Sequence, residues 1–367
     1  MPHVRFILVG GFLGAGKTTT IARLARAYVE QGHRVGIVTN DQATDLVDTR
    51  ALQSAGFEVG EVAGSCFCCN FNGLAAAVEQ LEARQKPDVI LAEPVGSCTD
   101  IVATVVQPVR RMYEHRFAVA PYGVILKPSH GRKIVKNEPR AGFSPKAAYI
   151  FRKQLEEADF IILNRVDELR AAEIDELADL TREHYPGIPV IRMSAKTGLG
   201  VDGLLEVLAQ QGQFGRCILE LDYDMYAEGE AELGWLNSSS RVSAPDPFAL
   251  DTLSLNIVQR LQQSLAASGA EPAHLKTISI SEGHHAVANV VSGDTPPLLS
   301  LASHAQTRQA EVIVNARVAI DPAVLQSQVE TAMRAACAAL GASPQCVQTQ
   351  SFRPGRPNPT YRFADAV

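Results

Sequence analysis

Eight residues, Gly11-Phe-Leu-Gly14-Ala15-Gly16-Lys17-Thr18, match G-x-x-x-x-G-K-[ST] at every fixed position. Glycines so spaced let a backbone wrap an anion with its N–H groups pointing inward, at phosphate oxygens. The lysine of such a loop reaches β- and γ-phosphates, and the hydroxyl that follows ligates Mg²⁺. Gly11, Gly14, Ala15, Gly16, Lys17, Thr18 and Thr19 are therefore the candidate nucleotide contacts, with Thr18 a candidate Mg²⁺ ligand. Lys17, with the ion and the loop amides, is the candidate for neutralising charge during phosphoryl transfer. A second carboxylate is needed beside the ion. Glu93, at the end of the apolar run Asp88-Val-Ile-Leu-Ala-Glu93, fits that need as a Mg²⁺-shell or water-orienting group, or else it caps a helix.

Two short motifs bear on the base. Asn164-Arg165-Val-Asp167 follows one apolar run and Ser194-Ala195-Lys196 follows another. A carboxylate such as Asp167 accepts from both N1–H and the exocyclic amine of guanine, whereas adenine offers neither donor there. A site built on such hydrogen bonds can reject the wrong analogue by about 10⁴. Guanine is the base these residues suit.

Cysteine supplies the third chemistry. Three of the seven cysteines, Cys66, Cys68 and Cys69, fall within four positions. In a loop this spacing brings two or three thiolates to one ion, and a tetrahedral site then needs one more ligand. Thiolates favour Zn²⁺, Co²⁺ or Cu⁺ over Mg²⁺. Asp41 and Cys98 are the candidates for the extra ligand. Two alternatives stay open: the triplet can be a set of reactive, metal-free thiols, and Cys98 can be simply a small buried residue.

The elements around these motifs must place them together. Phe6–Val9 reads as a buried strand, and Ile21, Leu24, Ala25 and Val29 mark the helix after the glycine loop. Further strands read at 33–39, 57–62, 88–93, 122–126, 159–163 and 189–193, with helices at 74–84, 147–157, 171–184 and 201–210. Strands alternating with helices imply an α/β fold: right-handed βαβ units and a mostly parallel sheet covered on both faces. Ligands on such sheets bind at the carboxyl ends of strands, and every motif above sits at such an end. The polar loop Asn40–Asp48 leaves one of those ends; its Asp41, Asp45 and Asp48 are weaker candidates, more simply read as solvated.

The bulk figures bound the rest. The chain has 367 residues, 46% hydrophobic and 20% charged, which the length prior divides into two domains. A net charge of −6 argues against a protein that coats nucleic acid or an anionic membrane. No apolar run approaches the roughly 18 residues of a spanning helix, and the short apolar N-terminus is committed to a strand rather than a signal peptide. A cytoplasmic protein is expected, with its cysteines reduced. Between Gln107 and Ala147 nine Lys/Arg face two Glu (Glu114 and Glu138). Either this basic insertion docks an acidic client or it is a solvated segment.

The expected boundary lies at residue 212. Beyond it, Cys217–Tyr223 and Glu232–Leu236 read as strands, with turns at Asn237-Ser-Ser-Ser and Ala244-Pro-Asp-Pro247. Strands at 276–281, 286–291 and 311–318, with helices at 248–267 and 322–340, suggest a smaller α+β domain of ferredoxin-like type, serving client recognition or dimerisation. His284-His285 face opposite ways if they lie in a strand. The Pro/Arg stretch Phe352–Arg362 reads as irregular surface.

Over residues 4–210 the chain resembles the CobW-type P-loop GTPases, kin to the metallochaperones UreG and HypB. The residues that carry the resemblance are Gly11–Thr18, Cys66-Phe-Cys68-Cys69 (the family's C-x-C-C), Glu93-x-x-Gly96, and the base pair of motifs. The chain has Ser65, Arg165, Asn40-Asp41-Gln-Ala and Ile125-Leu-Lys127-Pro where the family usually has Gly, Lys, Asn-Glu-Phe-Gly and a strand ending Val-Asp-Ala. Resemblance implies a P-loop NTPase fold and Mg²⁺-dependent GTP hydrolysis coupled to delivery of a transition metal, Zn²⁺ or Co²⁺, to a metalloenzyme or cofactor-assembly protein. A homodimer is compatible with it. The alternative is a GTP-switched binding protein whose cysteines are redox or structural.

Overall fold

The structure, a computed structural model, describes residues 4–42, 47–136 and 144–367. The chain forms two compact units, one of residues 1–42, 55–229 and 356–367, the other of residues 43–54 and 230–355. The first unit therefore runs past the expected boundary at 212 and takes in the last twelve residues.

The first unit is a doubly wound sheet. Its strands are β1 (Val4–Gly11), β2 (Val35–Asn40), β3 (Val59–Val62), β4 (Val89–Glu93), β5 (Phe117–Val119), β6 (Gly123–Leu126), β7 (Phe160–Leu163) and β8 (Val190–Arg192). They lie in the order β3-β2-β4-β1-β6-β7-β8, with β5 also paired to β1, and every pairing is parallel. Right-handed crossovers moving left and right from β1 put helices on opposite faces. Phe6, Ile7, Leu8 and Val9 are thus covered on both sides, which is why the strand reads as an unbroken apolar run.

The helices are α1 (Lys17–Glu30), α3 (Phe71–Gln85), α4 (Gln107–Met112), α5 (Pro128–Val135), α6 (Pro145–Glu156), α7 (Ala171–His184), α8 (Val201–Leu208) and α9 (Tyr223–Ala231). In α1 the buried stripe is Ile21, Leu24, Ala25 and Tyr28, while Val29 is exposed. Residues 217–222 do not form the expected strand. At its end Asp222 N–H donates to the Tyr149 hydroxyl instead of to a neighbouring strand.

The basic stretch is part of this sheet and its helices. Its charges meet acids: Arg116 lies on Glu79 and Glu82, Arg132 and Lys136 on Glu176, Arg111 on Asp365, and Lys146 on Glu228. Lys127, at the end of β6, is fully buried. Glu138 and Arg140 lie outside the described residues, as does Asp45 of the loop after β2.

The second unit is an antiparallel sheet with two helices. Its strands are β9 (Gly234–Ala249), β10 (Pro272–Ser281), β11 (His284–Val290), β12 (Leu298–Leu301), β13 (Gln306–Val318) and β14 (Ser343–Phe352), in the order β12-β11-β10-β13-β9-β14. Helices α10 (Leu250–Ala267) and α11 (Pro322–Ala338) join β9 to β10 and β13 to β14. Two βαβ halves in the order β14-β9-β13-β10 make the ferredoxin-like arrangement, extended by the β11–β12 pair. The expected turns at 237–240 and 244–247 are instead inside β9. Over 237–240 that strand is paired on both edges, by β13 and β14, so serines that read as turn formers are held extended, while 244–247 fall where the β13 register shifts between Ser243 and Phe248. His284 and His285 open β11, one exposed and one half-buried. Helix α2 (Val47–Ser54), which follows the polar loop, belongs to this unit: Asp48 pairs with Lys276, and Ala51 packs on Ile278, Val287 and Ile313.

Candidate functional site

At the carboxyl end of β1 the backbone of Gly11, Gly14 and Gly16 turns through positive φ of 139°, 71° and 99°. A side chain is excluded twice over at Gly16, where a Cβ would lie 2.6 Å from Asn164 Nδ2. Lys17 opens α1, is buried, and donates from Nζ to the Gly11 carbonyl at 3.0 Å, so its ammonium curls back over the loop. Thr18 Oγ1 donates to Glu93 Oε1 at 2.9 Å, and Glu93 is buried at the end of β4. A hydroxyl and a carboxylate meeting beside a phosphate-shaped loop are the hard oxygen donors that Mg²⁺ takes. Thr19, one position on, is exposed.

The base motifs close over the same loop. Asn164 Nδ2 donates to Ala15 O at 2.9 Å, and its Oδ1 accepts from the amides of Arg165 and Ala195 at 2.8 and 3.0 Å. One amide side chain thus joins the phosphate loop to both base loops. Ser194 is fully buried and its Oγ accepts from Thr197 N–H; the carbonyls of Ala195 and Lys196 accept from Arg23 of α1. Arg165 adopts φ 62° and pairs with Glu168 at 2.8 Å, leaving Asp167 exposed at the rim.

The cysteine loop follows β3, on the same side of the sheet. Asn40, the last residue of β2, donates to the carbonyls of Val62 and Ser65 at 2.8 and 2.7 Å and accepts from Phe67 N–H at 2.7 Å. The loop is therefore tied at its start and middle by one side chain. Cys66 and Cys68 are buried and Cys69 is half-buried, with Sγ separations of 3.0 Å (Cys66–Cys68) and 3.7 Å (Cys68–Cys69). Among the described residues this is the one group of three or more His, Cys, Asp or Glu whose ligand atoms all lie within 4.8 Å of one another. The Asp41 carboxylate lies outside it. Successive residues leaving a strand point opposite ways, and Asn40 has taken the direction of the cysteine loop.

Cys98, buried on the segment after β4, also lies outside that set. Hydrogen bonding, first of all from Cys68, holds the Cys66 thiol well below its usual range. Coupling to Cys66 pushes the Cys69 thiol up to about 11.

Three contributors were not legible as such in the sequence. The segment from Gly96 to Asp100 is wholly buried, and Gln154 of α6 donates to the carbonyls of both Gly96 and Cys98, at 3.0 and 2.8 Å. The signal was present: Gln154 is a polar residue at a core position of the stripe Ala147, Ile150, Phe151, Gln154, Leu155. Glu157, fully buried, accepts from Val102 N–H at 2.9 Å, and burial pushes its carboxyl well up. Asn358 and Thr360, within the stretch 352–362 expected as irregular surface, lie on the cysteine loop. Asn358 N–H donates to Cys69 Sγ at 3.2 Å, Thr360 N–H to Cys68 O at 2.8 Å, and Thr360 Oγ1 to Cys69 O at 3.0 Å.

The family model for "CobW/HypB/UreG, nucleotide-binding domain" matches residues 5–192. Among curated proteins, the zinc chaperone YeiR of Escherichia coli is 32% identical over 164 residues, covering 44% of this chain and 46% of that protein. The zinc chaperone CobW of Pseudomonas aeruginosa is 25% identical over 240 residues, 53% of this chain and 61% of that one. The chain thus spans about half the length of these relatives. The urease accessory protein UreG of Metallosphaera sedula is 24% identical over 217 residues and is covered to 91%. With a glycine loop, base motifs and cysteine loop gathered at one end of a parallel sheet, and a family match across half its length, the chain belongs to the CobW/HypB/UreG family.

Proposed function

We propose that this protein is a Mg²⁺-dependent GTPase that couples its nucleotide state to binding and delivery of a transition metal, Zn²⁺ or Co²⁺. The observation that carries this reading is the common placement of two chemistries. Thr18 meets Glu93 at the end of β4, and Asn40, at the end of the neighbouring β2, ties down the cysteine loop, so both chemistries stand at the same end of one sheet. Lys17 and the loop amides would neutralise the transferring phosphoryl group. Thr18 and Glu93 would hold Mg²⁺, which supplies charge stabilisation at the phosphates when bound. Asp167, with Asn164 and the Ser194–Lys196 loop, would read guanine.

The zinc-chaperone relatives support zinc as the cargo, and the sulfur-rich cluster supports a soft or borderline ion over Mg²⁺. The recipient would be a metalloenzyme or cofactor-assembly protein, recognised by the antiparallel unit. A reducing cytoplasm would keep the clustered thiols available.

The test is a competition titration with Co²⁺ and Zn²⁺, in Mg²⁺ with a non-hydrolysable GTP analogue and again with GDP. It is run on wild type and on the Cys66/Cys68/Cys69→Ala variant. One stoichiometric metal, held more tightly with the GTP analogue and lost in the variant, is expected. By linkage the metal must then raise affinity for the analogue by the same factor. Affinity that ignores the nucleotide, or survives loss of the cysteines, overturns the coupling. Lys17→Ala should abolish GTP binding, and Asp167→Asn should relax the preference for GTP over ATP. Retained affinity or retained selectivity would remove the corresponding assignment.

A further inference from the structure

Residues 356–363 lie against the cysteine loop, and their sequence makes them stiff. Pro357 and Pro359 fix their own φ and push the residues before them toward extended backbone. Neither proline has an N–H, so the Asn358 amide is the one donor between them. We propose that residues 358–363 are a latch over the cargo site: they set how fast the transition metal enters and leaves, and they tie that rate to the nucleotide. The inference rests on the cargo-metal reading above and names what regulates that site.

Three observations carry it. First, the latch closes on the cysteine loop itself. Asn358 N–H donates to Cys69 Sγ at 3.2 Å, Thr360 N–H to Cys68 O at 2.8 Å and Thr360 Oγ1 to Cys69 O at 3.0 Å, while the same hydroxyl oxygen accepts from Phe71 N–H at 3.3 Å. Tyr361 packs edge-on against Phe71, with ring centroids 5.5 Å apart. Asn358 and Thr360 are exposed, Cys69 is half-buried, and Cys66 and Cys68 are buried, so on this side the latch is the layer that meets solvent. Second, the sulfur it holds is the accessible one. An incoming thiolate or chelator would begin exchange at Cys69, where the Asn358 amide already sits.

Third, the other end of the latch is fixed to the segment that touches the phosphate loop. Arg362 donates from Nε to Asp100 Oδ2 at 2.7 Å and from Nη2 to Leu219 O at 2.8 Å, and Phe363 N–H donates to Ala103 O at 3.1 Å. Asp100 lies four residues past Gly96, where a Cβ would come within 3.0 Å of Lys17 Nζ, and Gln154 holds the carbonyls of Gly96 and Cys98 together. A shift of Lys17 when phosphate enters is passed along this segment to Arg362, and from there through Pro359 to Cys69. Each hydrogen bond of this kind shifts an opening equilibrium about fivefold. A few of them slow exchange without forbidding it.

The test begins without metal. In the metal-free full chain with the GTP analogue, the amides of Asn358 and Thr360 should exchange with deuterium about tenfold or more slower than in unstructured chain, and faster with GDP. Exchange at the unstructured rate overturns the latch with no variant needed, and equal protection with both nucleotides overturns its tie to the nucleotide. The double variant Asn358→Pro/Thr360→Val then removes the donor to Cys69 Sγ and the hydroxyl contacts. Labelling of Cys69 by a thiol reagent should rise about tenfold. With Zn²⁺, uptake and release to a chelator should both rise by about that factor, so that Kd moves by less than about threefold. Equal change in both directions marks a gate, whereas a merely structural role would raise release alone. Unchanged rates in a folded double variant, or faster release alone, overturn the proposal and leave the cargo reading standing. If wild type binds neither Zn²⁺ nor Co²⁺ with either nucleotide, the cargo reading falls and the latch falls with it.

Discussion

Asn40 Oδ1 accepts the Phe67 amide proton at 2.7 Å, while the nitrogen of the same side chain holds the carbonyls of Val62 and Ser65. Asn40 ends β2, and the three groups it binds span the start of the cysteine loop. Asn40→Ala would leave a buried donor and two carbonyls without these bonds, at a cost of about 2 kcal/mol. We expect a cooperative unfolding transition shifted by that amount. Faster exchange of the Phe67 amide and faster labelling of Cys66 by a thiol reagent should accompany it. Asn40→Asp keeps the acceptor and should be intermediate. Unchanged labelling in a destabilised Asn40→Ala protein would show that the loop holds itself.

Gly96 has no side chain because Leu13 and Lys17 occupy the space. Gly96→Ala would press a methyl group to within 3.0 Å of Lys17 Nζ and the Leu13 amide. The phosphate loop must give way, and binding of a fluorescent GTP analogue should weaken about tenfold, roughly 1.4 kcal/mol, with the fold retained by circular dichroism. Native affinity in Gly96→Ala would mean that the loop and its neighbour are not mechanically joined.

The parallel sheet was readable because its strands are buried on both faces and so appear as apolar runs between helical periods. The phosphate loop was readable because its conformation demands glycine at fixed places, and Gly11, Gly14 and Gly16 all adopt positive φ. What was not readable depends on partners distant in sequence. Ser238, Ser239 and Ser240 read as a turn, yet each lies in β9 between two strands more than 70 residues away. The stretch 358–363 has a turn-forming proline, Pro359, and no periodicity, and Thr360 is held by the Cys68 and Cys69 carbonyls some 290 positions earlier.

Glu157 gives the fold a pH dependence of defined sign. Burial raises its folded-state pKa well above the carboxylate's ordinary value, so the folded protein keeps a proton that the unfolded chain releases. The contribution is fully present below about pH 4.5, the unfolded value, and is lost as pH rises toward the folded pKa. Glu157→Gln removes the titration while keeping an acceptor for Val102 N–H. Denaturant midpoints measured from pH 5 to pH 8 should fall more steeply in wild type than in Glu157→Gln, with the variant gaining at the alkaline end. Parallel profiles would assign the slope to other acids, such as Asp100 and Asp159, which burial raises in the same direction.

The segment over the cysteine loop is anchored by charge. Arg362 Nε donates to Asp100 Oδ2 at 2.7 Å, and the Tyr223 hydroxyl donates to the same oxygen. Asp100 is 1% exposed and adopts φ 63°, so it cannot be rehydrated without moving the segment that carries Cys98. Removing the cation from a buried carboxylate costs more than the pair contributes, because an uncompensated charge stays behind. Arg362 is partly exposed, which lowers the cost to about 2 kcal/mol for Arg362→Leu. Asp100→Asn alone should cost less, and in the double variant most of the Arg362→Leu penalty should vanish, since no buried charge remains. The same cycle read by thiol labelling should show Cys69 reacting faster in Arg362→Leu, as Asn358 and Thr360 lose their seat. Additive unfolding energies would mean that Arg362 acts through packing. Native Cys69 reactivity would mean that residues 358–360 hold the loop without their anchor.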